Sequence, residues 1–232
     1  MATVADGKRA DSLFFGGIAA LLIGYVLLGF WPSYFAVGLI LTPLPSLLVH
    51  VHALLFVGWI VMFAVQVWLV GSARTPTHRR IGQLMAWWAL AIAVVGPATV
   101  IMAVRRGAVG PGPFAGDLAQ SLVFAVLIAS GISRRRYPAE HKRLMMLATA
   151  AIMGPAIIRW PFGMLEQSPP IGVLFFYLLP SLLLLGYDLW ALHRVHRATW
   201  FGLGLMVLAL ISFIALPALP AWQAFTLWVR HA

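Results

Sequence analysis

Apolar residues run through this chain in blocks rather than stripes. Seven blocks approach or exceed the roughly 20 residues a helix needs to cross a bilayer. They lie near Leu13–Trp31, Leu47–Val70, Ile81–Val104, Leu118–Ile132, Leu144–Trp160, Ile171–Trp190 and Trp200–Leu216. Within each block the apolar positions are continuous, without the alternation of a membrane β-barrel strand. A backbone in lipid must satisfy its own hydrogen bonds, so the blocks predict helices. The expected fold is an all-α membrane protein, a bundle of about seven transmembrane helices. Short loops leave residues 1–232 as one integral membrane domain.

Polar positions between the blocks set an orientation. Twelve basic residues fall on one side: Lys8, Arg9, Arg74, Arg79, Arg80, Arg134, Arg135, Arg136, Lys142, Arg143, Arg194 and Arg197. Four fall on the other: Arg105, Arg106, Arg159 and Arg230. The positive-inside rule then places the N-terminus in the cytoplasm and the C-terminus in the periplasm of a bacterial inner membrane. The first block is too long for a signal-peptide core and is read as a retained span. Residues Trp31–Ser46, interrupted by Pro32, Pro43 and Pro45, are expected along the outer interface. Trp31, Trp160, Trp190 and Trp200 fall at block ends, as an aromatic belt requires.

Composition sharpens this picture. Charged residues make up 9% of the chain and apolar residues 62%, against roughly 25% charged in soluble domains. The formal charge of +10 invites a nucleic-acid reading, but the basic residues are spread over loops between spans, so the partner is the lipid bilayer. Cysteine is absent. That excludes disulfides, thiolate metal sites and covalently attached c-type haem.

Histidine carries the candidate chemistry. His78, His141 and His196 each stand at the cytoplasmic start of an apolar block, and His193 and Asp188 close the sixth block on the same side. Imidazoles from different helices build metal or haem sites in bundles, and neutral imidazole suits Fe, Cu and Zn. Asp188 is a candidate ligand or imidazole orienter. The same basic residues at helix starts also suit lipid phosphates or an anionic ligand, or serve topology alone. At the outer level, His52 leads a stripe to Trp59 and Gln66, and Arg159 reaches the same level with Glu166 following. His52, Gln66 and Arg159 are candidates for binding a quinone or carrying protons, since ionisable groups in membranes are costly.

Pro76-Thr77-His78-Arg79-Arg80 echoes Pro138-Ala139-Glu140-His141-Lys142-Arg143, and each precedes a Gly-Pro-Ala, at Gly96 and Gly154. Residues 47–104 and 118–160 thus read as a helix-pair repeat.

His52-Ala-Leu-Leu-Phe-Val-Gly-Trp59, Gln66, His78-Arg79-Arg80-Ile81-Gly82 and Pro138-Ala-Glu-His141-Lys142-Arg143 together resemble a family of uncharacterised multi-span bacterial membrane proteins. The pattern is distantly similar to b-type cytochromes and to terminal-oxidase assembly proteins. The resemblance implies haem b or another His-ligated metal, a redox role, and quinone or a respiratory complex as partner. Two stacked bis-His haems would need a second outer histidine helix. Only Met102, Met153 and Met164 stand in for it, so one inner centre held by His78 and His141 fits better.

Three other readings stand beside the redox one. A non-enzymatic assembly protein would explain the lack of a nucleotide loop or nucleophile motif. A small transporter would use the helix breakers Gly96-Pro97, Gly154-Pro155 and Pro180. A membrane zinc hydrolase would use the histidines and Asp188 to activate water, although no histidine pair sits at i, i+4.

Overall fold

The computed structural model describes residues 4–38, 46–160 and 169–232, and among these no strand occurs. The expectations placed on Pro43, Pro45, Met164 and Glu166 lie outside the described residues. Helices α1 (Val4–Phe30), α2 (Leu47–Gly71), α3 (Thr75–Arg105) and α4 (Pro111–Ser133) are followed by α5 (Pro138–Ala151) and α6 (Gly154–Ile157). Then come α7 (Pro169–Leu192), α8 (Arg197–Ala215) and α9 (Pro220–His231). Among the described residues six helices are long and apolar enough to cross a membrane: Gly7–Ala36, Leu47–Gly71, Thr75–Arg105, Pro111–Ser133, Ile171–Leu192 and Arg197–Ala218. Their outward faces carry Leu54, Trp87, Leu122, Phe175 and Leu208, all exposed, a surface suited to lipid.

The fifth expected span, Leu144–Trp160, is not one continuous helix. A proline ring clashes with the carbonyl four residues earlier and supplies no N–H, so Pro155 ends α5 at Ala151. The chain turns through Ile152 and Met153 and restarts as α6. The freed Ala151 carbonyl accepts a hydrogen bond from the Tyr177 hydroxyl at 3.2 Å. Pro180 frees the Phe176 carbonyl in α7 by the same clash, and Tyr25 donates to it at 3.0 Å. Two tyrosines therefore replace what two prolines remove.

The broken segment is the centre of the bundle. From Arg143 to Gly154 every residue except Met145 is buried. α4 and α8 flank it, α1 closes on α6, and α7 touches both halves. Around it pack Leu22, Phe124, Leu127, Leu184 and Met206. Gly29 of α1 lies so close to α6 that a Cβ there would collide with the Ala156 carbonyl oxygen and sit 2.8 Å from its carbon.

Three further differences from expectation have physical reasons. Helix α1 continues through Trp31–Gly38 as a π-helix, and Pro32 stands in its first turn. Trp160 is buried rather than interfacial: its indole donates to the Tyr25 carbonyl at 3.2 Å, and its ring packs on Tyr25 and Phe176. Helix α9, which lies beyond the apolar blocks, buries Thr226 and Val229. Trp222 ties it to α4 through a bond to the Pro111 carbonyl at 2.9 Å. Trp31, Trp190 and Trp200 are exposed, as belt residues would be.

Candidate functional site

Helices α3 and α5 start alike. Each has a proline in its first turn, where the missing N–H costs nothing, and a histidine within the next residues. Both starts lie at the end of the bundle that holds most of the basic residues. The His78 and His141 rings meet there, centroids 6.3 Å apart and planes at 86°.

Three polar groups around this pair have unequal bonding. His141 Nδ1 lies 2.8 Å from the Gly131 carbonyl. A carbonyl only accepts, so in the neutral ring Nδ1 carries the proton and Nε2 keeps its lone pair. Gln66, 7% exposed, donates from its amide nitrogen to the His78 carbonyl at 3.2 Å. Its Oε1 and the Nδ1 of His78 are buried without a hydrogen-bond partner. Unpaired buried polar atoms are uncommon because each forfeits hydration. The imidazole pair and the glutamine bonded to it thus leave two buried polar atoms without partners.

Asp188 is engaged elsewhere. It is fully buried, and Arg143 is 2% exposed. Arg143 donates from Nε to Asp188 Oδ1 at 2.9 Å and again from a terminal nitrogen to the same oxygen. Asp188 Oδ2 accepts from the Thr199 hydroxyl at 2.5 Å and from the His196 backbone N–H at 3.0 Å. Arg143 also donates to the Ala139 carbonyl at 2.7 Å. Both carboxylate oxygens are filled, and the network ties α5, α7 and α8 together. Desolvation makes a buried ion pair costly unless its remaining valences are satisfied in this way.

His196 and His193 do not join His78 and His141. His196 caps α8: its Nδ1 accepts the Ala198 N–H at 3.1 Å. Burial, with the nearby Arg143 cation, holds its pKa below the ordinary value. His193 is exposed and takes a left-handed conformation, φ 53°, where α7 ends. Glu140 bonds Arg197 and lies 3.5 Å from Arg134. The Arg197 hydrogen bond holds its carboxyl below the ordinary range. Lys142 reaches Asp11 at 2.6 Å, and Tyr187 donates to the same carboxylate.

His52 and Arg159 lie at the other end of the bundle. Gln66 is fourteen residues from His52 on α2, about 21 Å along the axis. The structure therefore groups Gln66 with the inner histidines rather than with His52. His52 stacks on Phe56 at 4.1 Å, and its Nδ1 is buried without a partner. Arg159 bonds the Pro155 carbonyl and lies over the Phe30 ring.

Among the described residues no three His, Asp or Glu side chains converge as a metal-binding group. Sequence reasoning missed Arg143 as the partner of Asp188, although opposite charges at one membrane level were a signal for it. It also missed Thr199, Asp117 and Gln120, polar residues inside or beside apolar blocks. Comparisons with protein-family models, curated proteins and solved structures return no match to this chain.

Proposed function

We propose that this chain is a multi-pass bacterial inner-membrane protein whose His78–His141 pair holds a transition metal or the iron of a b-type haem in a redox role. The supporting observation is the imidazole pair itself, with His78 Nδ1 and Gln66 Oε1 buried and unpaired beside it. Two imidazoles on one metal, at about 2.0–2.1 Å per bond, put their centroids roughly 5–6.5 Å apart. The separation of 6.3 Å suits that chemistry.

In this reading His78 and His141 supply the ligand nitrogens. The Gly131 carbonyl fixes the His141 tautomer, the role an outer partner plays for metal-bound imidazole. Gln66 anchors the first turn of α3 from α2 through its bond to the His78 carbonyl. The bound centre would supply one-electron chemistry, with a quinone or a respiratory complex in the same membrane as exchange partner. The Arg143–Asp188 lock takes no part beyond holding α5. α5 and α6 together form the seventh crossing, so the N-terminus is cytoplasmic and the C-terminus periplasmic.

The test is absorbance, oxidised and reduced, with metal analysis of protein purified in mild detergent. A reducible Soret band, or one metal per chain without it, lost in His78→Ala and His141→Ala but kept in His193→Ala, is the expected result. Folded protein with neither signal after growth with haem precursor and metals would overturn the reading.

A further inference from the structure

The opposite end of the bundle gathers a second set of ionisable groups. Helices α2 and α4 meet across Gly96 of α3: a Cβ there would lie 3.3 Å from Phe56 and 3.4 Å from the Ser121 hydroxyl. Both α2 and α4 run from this end of the bundle toward the basic end. One helical turn further out on each, about 5.4 Å, stand His52 and Asp117. From the third side comes the break between α5 and α6. The Gln120 amide lies 2.6 Å from where a Cβ on Gly154 would sit. Five residues beyond Gly154 the chain brings Arg159 to this level. Its charge acts on both Asp117 and His52.

Bonding here is as incomplete as at the inner pair. His52 Nδ1 and Gln120 Oε1 are buried without partners. Asp117 is half-buried, and among the described residues its carboxylate makes no hydrogen bond and no ion pair within 4.0 Å, Arg159 included. A carboxylate so placed in an apolar bundle is costly unless it serves a purpose.

We propose that His52 and Asp117 form a proton-exchange site opening to the outer face. Arg159 biases their charge. His52 and Asp117 make no direct hydrogen bond, so the proton moves between the Asp117 carboxyl and the His52 imidazole through an intervening water, each returning to its starting form once the proton leaves to water. Also toward this end are His50 on α2, 3.4 Å from the Tyr34 hydroxyl, Arg105 and Arg106 at the end of α3, and Tyr25 of α1 and Tyr177 of α7, whose hydroxyls donate to backbone carbonyls. On α8 the only charge is Arg197, at the basic end, and Arg230 of α9 faces Pro111. The site stands whether or not the inner pair holds metal.

N,N′-dicyclohexylcarbodiimide, which adds to protonated carboxyl groups in apolar surroundings, tests the proposal on intact protein in bilayer vesicles. Labelling is read by peptide mass spectrometry across a pH series. Expected is pH-dependent labelling of Asp117, none at that position in Asp117→Asn, and an upward move of the midpoint in Arg159→Gln. His52→Gln should shift the same curve, which keeps the test valid if Arg159→Gln fails to fold. Labelling of Asp117 whose pH dependence is unchanged in both His52→Gln and Arg159→Gln would overturn the proposal. So would a carboxyl that stays unmodified in folded protein yet reacts once unfolded.

Discussion

Two clusters share the basic end of the bundle and differ in one respect. Around Asp188 every strong acceptor position is used: two contacts from Arg143, one from Thr199 and one from a backbone N–H. Around His78 and His141 the acceptors outnumber the donors, and two buried atoms have none. A saturated network has nothing left to offer a ligand, and its removal shows up as lost stability. An unsaturated one is a standing cost, and its removal shows up as lost binding. By this difference Asp188, which its sequence position offers as a metal ligand, serves the fold, and the histidine pair is the place to look for chemistry.

The comparison can be broken most decisively at Asp188. Asp188→Ala leaves Arg143 charged and unpaired in the core, a change worth about 3–5 kcal/mol. Its melting transition in detergent should fall far below that of the parent or disappear. A variant that melts normally would put the lock on the same footing as the histidines.

Tyr177→Phe should cost about 1–3 kcal/mol, because it strands the Ala151 carbonyl in a place without water. Tyr25→Phe should cost a similar amount through Phe176. Thermal denaturation of each variant, and of the pair, tells whether the two proline sites act independently.

Smaller still is the effect expected at the open cluster. His78→Leu removes a buried Nδ1 that has no partner, so stability should change by under about 1 kcal/mol, in either direction. Metal or haem content should drop. A large loss of stability without loss of ligand would reverse the contrast.

The mildest effect is the pH dependence at the start of α8. His196 has a lowered pKa when folded, so folding favours its neutral ring. Its contribution is complete above the ordinary value of 6.5 and is lost as pH falls below it. Glu140, also lowered, adds a second loss below its ordinary 4.5. Both act in one direction: the α8 start should loosen on acidification, read as faster amide exchange at Ala198 and Thr199. His196→Asn, which keeps a capping acceptor without titrating in this range, should flatten the upper part of that response.

Much of this was legible in the chain. Six of the apolar blocks became long helices because continuous hydrophobicity over about 20 residues has few other solutions. Helices α3, α4 and α5 are among those that start earlier than hydropathy suggested, since Thr75–Arg80, Pro111–Asp117 and Pro138–Arg143 are polar or broken by glycine and proline yet helical. Helix α9 was illegible to a search for spans, because a short amphipathic helix shows up in periodicity rather than in mean hydropathy. The pairing of His78 with His141 could be guessed from their shared level and repeat. The placement of Gln66 beside them could not, because it depends on how α2 is rotated and how far it slides along α3. Asp188 shows the limit most clearly: its type and level suited a ligand, and only the position of Arg143 one turn into α5 settles that its oxygens are occupied.

The buried helix break also bears on how the chain enters the membrane. The insertion machinery reads each segment as it emerges, largely by its length and apolarity. The α5–α6 segment has Glu140, His141, Lys142 and Arg143 at its start and a proline near its end, and it is not among the six long apolar helices. Its place must be secured by neighbours: α4, made just before it, and α7 and α8, made after it and holding Asp188 and Thr199. Until those last helices arrive, Arg143 has no counter-ion. Assembly of this protein is therefore committed late, and a chain truncated after α6 should expose both ends of that segment to the same side.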